Sequence, residues 1–125
     1  TNSVSGNEGA CAKTLLDYFK DKSVESRLEE VQPGRYNLVA RVPGTKPTLL
    51  FNGHTDMVDV VDGWTTNDPF KLETVGDWML GAGVANMKGG LAAQAVATAL
   101  IAASTKNHSE VIFTAIITVK TAAAG

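Results

Sequence analysis

Two apolar segments constrain the fold of this chain more than any other feature of its sequence. Thr48–Asn52 (TLLFN) and Val111–Val119 (VIFTAIITV) contain no charged residue, which is typical of strands buried on both faces. An alanine-rich segment between them, Met87–Ser104, predicts a helix, with Asn86 as its N-cap. Strands that alternate with helices predict a three-layer α/β/α sandwich with a largely parallel mixed sheet.

The rest of the chain adds one helix and four shorter β segments to this prediction. Their periodicity and their Gly and Pro residues set the boundaries. The predicted elements are a helix over Ala10–Lys22, an edge strand over Val24–Val31, a strand over Tyr36–Val42, and a hairpin of Phe70–Val75 with Trp78–Leu80 around Gly76-Asp77.

Composition excludes several classes of protein. A chain of 125 residues is too short for two ordinary domains, and its net charge of −2 disfavours a nucleic-acid partner. Its one cysteine, Cys11, excludes an internal disulfide framework and a cysteine-rich zinc site. No apolar stretch approaches the roughly 20 residues that a membrane-spanning helix needs. We therefore predict a soluble, cytoplasmic protein without a membrane partner.

A first candidate site follows the strand Thr48–Asn52. His54 and Asp56 lie two residues apart in an extended segment, so their side chains point to the same side. A metal-binding imidazole commonly donates its second ring N–H to a carboxylate. The His-x-Asp pattern is short, however, and an ordinary polar strand end explains it equally well.

A second candidate site is the glycine-dense segment Gly81–Gly90. It leads into the predicted helix, whose N-terminal N–H groups can hold an anion, and Lys88 adds a positive charge there. We therefore regard Gly83 and Lys88 as candidate substrate-binding residues. The segment matches neither common phosphate-loop pattern, so a nucleotide cofactor is not predicted.

The two sites together resemble a known family. The order LLFNGHTDMV, DGWTTNDPF and GAGVANMKGGLAA resembles the di-zinc amidohydrolases that include acetylornithine deacetylase, succinyl-diaminopimelate desuccinylase, aminoacylase and the glutamate carboxypeptidases. SVSGNEGA and GRYNLVARVPG resemble other motifs of the same family. The resemblance implies that residues 1–125 form the N-terminal part of a zinc-exopeptidase-like catalytic domain, without the remainder of that domain or the lid domain.

The resemblance also implies roles for individual residues. His54 corresponds to a zinc ligand and Asp56 to the carboxylate that orients it. Asn86 stands where the family has a metal-bridging aspartate, and Ala82 where it has an arginine. The acidic pair of the family, a general base followed by a zinc ligand, falls near Lys120-Thr121, and no Asp or Glu follows Glu110.

These departures weaken the expected metal site. A neutral asparagine cannot bridge two cations as a carboxylate does, and without the acidic pair no group takes a proton from metal-bound water. We expect no cofactor on this basis, with zinc implied only by the resemblance. His54, Asp56 and Asn86 remain the candidate catalytic and metal-binding residues.

Three explanations fit this pattern. In the first, the chain is one part of an amide-bond hydrolase or acyl-transfer enzyme that acts on an N-acyl amino acid or small peptide-like substrate. A companion polypeptide continuing after Gly125, with an N-terminal Thr, Ser or Cys nucleophile in one version, would then complete the site. In the second, the protein is a metal-free relative that binds or scaffolds. In the third, its catalytic residues were altered deliberately.

Overall fold

The computed structural model describes residues 1–118, which form two helices and six strands. An irregular turn, Val84–Lys88, immediately precedes the second helix. The elements are α1 Gly9–Phe19, β1 Glu25–Gln32, β2 Arg35–Val42, β3 Thr45–His54, β4 Glu73–Val75, β5 Trp78–Leu80, α2 Gly89–Ala102 and β6 Ser109–Ile116.

Four of the strands form a mixed sheet in the order β1-β2-β6-β3. Only β3 and β6 pair in parallel, with Gly53 opposite Ala115, and α2 forms the crossover between them. The pairs β1–β2 and β2–β6 are antiparallel. The mixed sheet is confirmed, but its parallel part is smaller than predicted. The tight Pro33-Gly34 turn between β1 and β2 is one reason, because so short a connection can join only antiparallel strands.

Both helices pack on the same face of this sheet. Phe19 of α1 meets Phe113 of β6 edge to face, with 5.6 Å between the ring centroids, and both side chains are fully buried. Leu91 of α2 lies against Gly53 of β3. The buried apolar cluster on this face consists of Phe19, Val24, Leu38, Ala40, Val42, Leu91, Ala95, Ala99, Val111, Phe113 and Ala115.

The opposite face of the sheet has no helical layer within residues 1–118. Leu50 and Ile112 pair on that face. Because no helix of residues 1–118 covers them there, Leu50 is 58% exposed. The predicted third layer is therefore absent from the part of the chain that the structure describes. The apolar run of β3 is buried on one face only.

The boundaries of the helices and of the hairpin differ from the prediction. α1 ends at Phe19 rather than Lys22, and α2 begins at Gly89 rather than Met87. Asn86 does not cap α2, because its backbone is extended (φ −130°, ψ 95°) and its side chain is engaged elsewhere. The hairpin of β4 and β5 is confirmed in a shorter form, with Gly76 at a positive φ in its turn.

None of the helices in residues 1–118 is long and apolar enough to cross a membrane. The longest, α2, has 14 residues.

The one-sided core leads to a prediction about stability. Phe113→Ala should lower the free energy of unfolding by about 3–5 kcal/mol, because it opens a cavity beneath Phe19. Leu50→Ala, on the other face of the same sheet, should lower it by less than about 1 kcal/mol. Chemical denaturation followed by circular dichroism measures both values. Equal losses for the two variants would contradict a core confined to one face.

Candidate functional site

The first candidate site lies at the carboxyl end of the only parallel strand pair among the described residues. β3 ends at His54, directly opposite Ile116 at the end of β6. The backbone N–H of Thr55 continues the pairing by donating to the Ile116 carbonyl at 2.8 Å. Parallel strands that end at one edge of a sheet place their following residues together, which is where sites gather in α/β proteins.

His54 and Asp56 make the contact that their spacing predicted. The Nδ1 atom of His54 lies 2.9 Å from the Asp56 backbone oxygen and 3.3 Å from the Asp56 Oδ1 atom. Both neighbours are acceptors, so this geometry favours the tautomer with its hydrogen on Nδ1. The Nε2 atom is then the unprotonated nitrogen, free to accept a hydrogen bond or bind a cation.

Thr118 fixes the Asp56 carboxylate from the other side. Its hydroxyl donates to Asp56 Oδ1 at 2.7 Å, and its backbone N–H donates to the same oxygen at 3.2 Å. The backbone that follows β6 therefore holds the carboxylate that contacts His54. Sequence analysis did not single out Thr118, because its role depends on the alignment of β6 with β3.

Asn86 faces the Nε2 atom of His54. Its Oδ1 atom lies 3.1 Å from that nitrogen. If Nδ1 carries the hydrogen, Nε2 and Oδ1 are both acceptors, and a hydrogen bond forms only when the Asn86 amide turns to present its N–H group. An asparagine can satisfy Nε2 in this way without a metal, whereas an ionised aspartate cannot.

Gly53, the residue before His54, allows Met87 and Asn86 to lie this close to β3. A Cβ at position 53 would lie 2.7 Å from Met87 Cε and 2.8 Å from Leu91 Cδ2. The backbone N–H of His54 also contacts the sulfur of Met87 at 3.4 Å. The close packing of Met87 against β3 brings the neighbouring Asn86 to the imidazole.

Lys88 and Gly83, the candidate substrate-binding residues, lie next to each other. A Cβ at Gly83, whose φ is +80°, would lie 3.2 Å from the Lys88 side chain. The Lys88 Nζ atom donates to the Thr1 carbonyl at 2.5 Å and contacts the Met57 sulfur at 3.5 Å. Among the ion pairs of residues 1–118, none includes Lys88.

Burial affects the titration of Lys88 and of a nearby thiol. It lowers the pKa of the Lys88 ammonium below its ordinary value, and the charge of the Cys11 thiolate offsets part of this effect. Burial likewise raises the pKa of the Cys11 thiol, with Lys88 opposing the change. Cys11 is therefore a protonated core residue at neutral pH, as a buried thiol normally is.

An apolar groove of about 740 Å³ extends from Lys88 along the outer side of α2. The β4–β5 hairpin and the segment before it form its other wall. Lys88 is its one ionisable side chain within residues 1–118. The other lining residues are Thr1, Pro69, Phe70, Leu72, Met79, Gly81, Ala82, Val84, Gly89, Ala92, Ala93, Val96, Ala97 and Leu100.

A buried ion pair contacts Thr118, the residue that holds the Asp56 carboxylate. Glu8 is fully buried, and Arg35 donates to both of its carboxylate oxygens, at 2.9 Å and 2.6 Å. The same guanidinium donates to the Thr118 carbonyl at 3.0 Å. Glu8 and Arg35 belong to the segments SVSGNEGA and GRYNLVARVPG, and neither residue was predicted to belong to the site. The only sequence signal was that both segments belong to the family pattern.

The described residues do not form a metal site of the expected kind. Within residues 1–118, no three His, Cys, Asp or Glu side chains cluster as metal ligands do. His54 offers one nitrogen and Asn86 one neutral oxygen, while Asp56 is engaged by Thr118. This donor set is too small and too weakly charged for a pair of zinc ions. Lys120 and Thr121, which fall near the acidic pair of the family, lie outside the described residues.

Comparison with known families identifies one match. The sequence model described as peptidase family M20/M25/M40 matches residues 50–116, a little over half of the chain. The match includes both candidate sites.

Curated relatives agree with that match. The chain is 36% identical over 95 residues to a probable succinyl-diaminopimelate desuccinylase of Staphylococcus aureus, covering 74% of this chain and 23% of the relative. It is 37% identical over 75 residues to the acetylornithine deacetylase of Vibrio campbellii, covering 60% and 20%. The chain thus spans about a quarter of the length of these relatives.

Solved structures show the same fold. The aminopeptidase PepT of Bacillus cereus superposes with a TM-score of 0.71 at 23% identity, covering 94% of this chain and 33% of that one. The dipeptidase Dug1p of Saccharomyces cerevisiae gives a TM-score of 0.68 at 22% identity, covering 88% and 26%.

The buried Glu8 carboxylate leads to a prediction about pH. Burial alone would raise its pKa, but the Arg35 hydrogen bonds, the Gly6 amide and the guanidinium charge outweigh it, so the pKa of Glu8 lies below its ordinary 4.5. The stabilisation is complete above pH 4.5 and is lost as the pH falls through the lowered pKa. We expect Glu8→Gln to lose about 2 kcal/mol of unfolding free energy at neutral pH and to flatten the acid limb of the stability curve.

Urea denaturation between pH 3 and pH 8 measures this effect. Glu29→Gln is the matched control, because Glu29 pairs with Arg27 on the exposed surface of β1. It should change the unfolding free energy by less than about 0.5 kcal/mol. An unchanged acid limb in Glu8→Gln would contradict the lowered pKa.

Proposed function

This chain belongs to the M20/M25/M40 peptidase family, and from that membership we propose that it is the N-terminal part of the catalytic domain of an amide-bond hydrolase or acyl-transfer enzyme. The relatives named above act on amide bonds of acyl amino acids or peptides, according to their names. The substrate proposed here is an N-acyl amino acid or a small peptide-like molecule.

One observation carries the finer part of the proposal: Asn86 faces His54 Nε2 at 3.1 Å. A carboxylate at this position would add a full negative charge where a dication could bind. At an effective dielectric constant near 20, losing that charge a few ångströms from a dication costs roughly several kcal/mol. We propose that residues 1–118 alone do not hold the two-metal centre that the family resemblance implies.

A companion polypeptide is the proposed source of the missing groups. The exposed apolar face of the sheet around Leu50 supports this part of the proposal, because a mixed sheet is usually covered on both faces in α/β proteins. The companion would also supply the acid–base group that residues 1–118 lack, either a carboxylate or an N-terminal Thr, Ser or Cys nucleophile.

The groove and Lys88 support an anionic substrate with an apolar part. Lys88 has no carboxylate partner among the described residues, and the walls that extend from it are apolar. An amino-acid carboxylate can pair with Lys88 while an acyl chain or an apolar side chain lies along α2. The turn at Gly83 leaves room for the lysine side chain.

The same groove favours a second candidate function. A metal-free relative that only binds its ligand would need the groove and Lys88, but not a metal at His54. Binding without turnover, and without zinc in the purified natural complex, would favour this alternative.

A carboxylate at position 86 tests the proposal that residues 1–118 alone do not hold a two-metal centre. Asn86→Asp should bind Zn²⁺ at least about tenfold more tightly than the original chain, because it adds a charged oxygen beside His54 Nε2. Isothermal titration at neutral pH measures the affinity. Asn107→Asp is the matched control, since it adds the same charge next to the other histidine, His108, and should leave the affinity unchanged. Tight binding of two Zn²⁺ ions by the original chain would contradict the proposal.

Purification from the natural source tests the companion polypeptide. We expect a second polypeptide to accompany the chain through native purification, and we expect hydrolysis of N-acetyl amino acids or dipeptides only when both are present. Intact-mass spectrometry and amino-terminal sequencing identify the partner. A single polypeptide with full turnover, whether of 13.1 kDa or longer, would contradict the proposal.

A further inference from the structure

A chain of hydrogen bonds connects the buried ion pair to the imidazole of the candidate site. It runs from Glu8 to Arg35, from Arg35 to the Thr118 carbonyl, from the Thr118 hydroxyl and N–H to Asp56, and from Asp56 to His54. The separations up to the Asp56 Oδ1 atom lie between 2.6 Å and 3.2 Å. At the last step, His54 Nδ1 lies 2.9 Å from the Asp56 backbone oxygen and 3.3 Å from its Oδ1 atom.

We propose that Glu8 and Arg35 are positioning residues, which act through Thr118 and Asp56 to fix the tautomer and the direction of the His54 side chain. The inference deepens the proposed function, since it rests on His54 and Asp56 belonging to the site. It concerns the tautomer of the His54 imidazole, which can be measured without any turnover.

Glu8 and Arg35 form the buried end of the network, where both side chains are held in place. Glu8 is fully buried and Arg35 is only 15% exposed, so neither side chain has solvent-exposed alternatives of equal energy. Glu8 also accepts from the Gly6 N–H at 3.0 Å, which ties the carboxylate to its own loop. A planar guanidinium with fixed donors is suited to hold a carboxylate and a carbonyl at the same time.

Thr118 transmits this anchoring because it is bonded on both sides. Its carbonyl accepts from Arg35, while its N–H and hydroxyl both donate to Asp56 Oδ1. Thr118 follows β6, so without Arg35 its carbonyl would lose the contact that holds it next to the site. Asp56 in turn presents two acceptors to His54 Nδ1.

The neighbouring backbone supports the same geometry without replacing the network. The Ser3 hydroxyl donates to the Thr55 carbonyl at 2.7 Å, and the Met57 N–H donates to the Ser3 carbonyl at 3.0 Å. The Asn37 side chain accepts from the Ile117 N–H at 2.8 Å. These contacts hold the two strand ends, but none of them reaches the Asp56 carboxylate or the imidazole. Among the described residues, Thr118 is the one that donates to the Asp56 carboxylate.

Nitrogen NMR of the two histidines tests the proposal. In ¹⁵N-labelled chain at alkaline pH, His54 should show the pattern of an Nδ1–H tautomer. Thr118→Val removes the hydroxyl donor, and Arg35→Lys removes the guanidinium fork while keeping the positive charge. Each should change the His54 tautomer ratio by about fivefold, as expected for the loss of one supporting hydrogen bond.

Three controls separate positioning from a general loss of structure. Thr118→Ser keeps a hydroxyl and should restore the original His54 signals. His108, whose Nδ1 atom contacts the Ser109 carbonyl, should remain unchanged in every variant. Arg27→Lys, at an exposed ion pair on β1, should leave both histidines unchanged.

The His54 signals in these variants decide the positioning role independently of any measurement of turnover. Unchanged His54 signals in folded Thr118→Val would overturn it, even if Arg35→Lys failed to fold, because Thr118 is exposed and its substitution leaves the core intact. Equal changes at His54 and His108 would also overturn it, since they indicate a global effect. A confirmed tautomer change with no turnover in any complex would leave the positioning role standing and reject the proposed function.

Discussion

The parallel pairing of β3 with β6 is the constraint on which the rest of the structure depends. It places His54 opposite Ile116 and brings Asp56 to Thr118. The crossover helix α2 returns over the same two strands, and the turn before it carries Asn86 to the imidazole. If β6 slipped by one residue against β3, Phe113 would leave the core and Thr118 would lose Asp56. One register therefore sets both the core and the candidate site.

The site presents one ring nitrogen of His54 to Asp56 and the other to the amide of Asn86. A histidine next to a carboxylate is common in metal-dependent sites, and here the carboxylate lies 3.3 Å from His54 Nδ1 and is itself held by Thr118 and, through it, by Arg35. At Nε2, however, the described partner is a neutral amide. The fold is that of the family, while the resemblance implies a carboxylate where Asn86 stands, and on that difference the proposed function assigns part of the chemistry to another polypeptide.

Much of the fold was predictable because local signals agree with it. The hydrophobic periodicity of α1 and the hairpin at Gly76 are local features, and both were predicted within a few residues. Contact between His54 and Asp56 followed from their spacing of two residues in the extended segment at the end of β3. The capping role predicted for Asn86 was wrong, because a tertiary contact with His54 outweighs a local preference for the helix end. The roles of Gly83 and Lys88 in substrate binding remain predictions.

The sequence by itself determined the family, the mixed α/β class and the identity of the residues at the end of β3, because motif order and strand pattern are written along the chain. Only the tertiary structure decided that both helices cover one face of the sheet, since periodicity says that a face is buried but not by which element. It also decided that Glu8, 27 residues from Arg35 and far from His54 in the sequence, pairs with the arginine that contacts Thr118 next to His54 and Asp56. Contacts between distant segments depend on strand order and register, and a single sequence does not specify those locally.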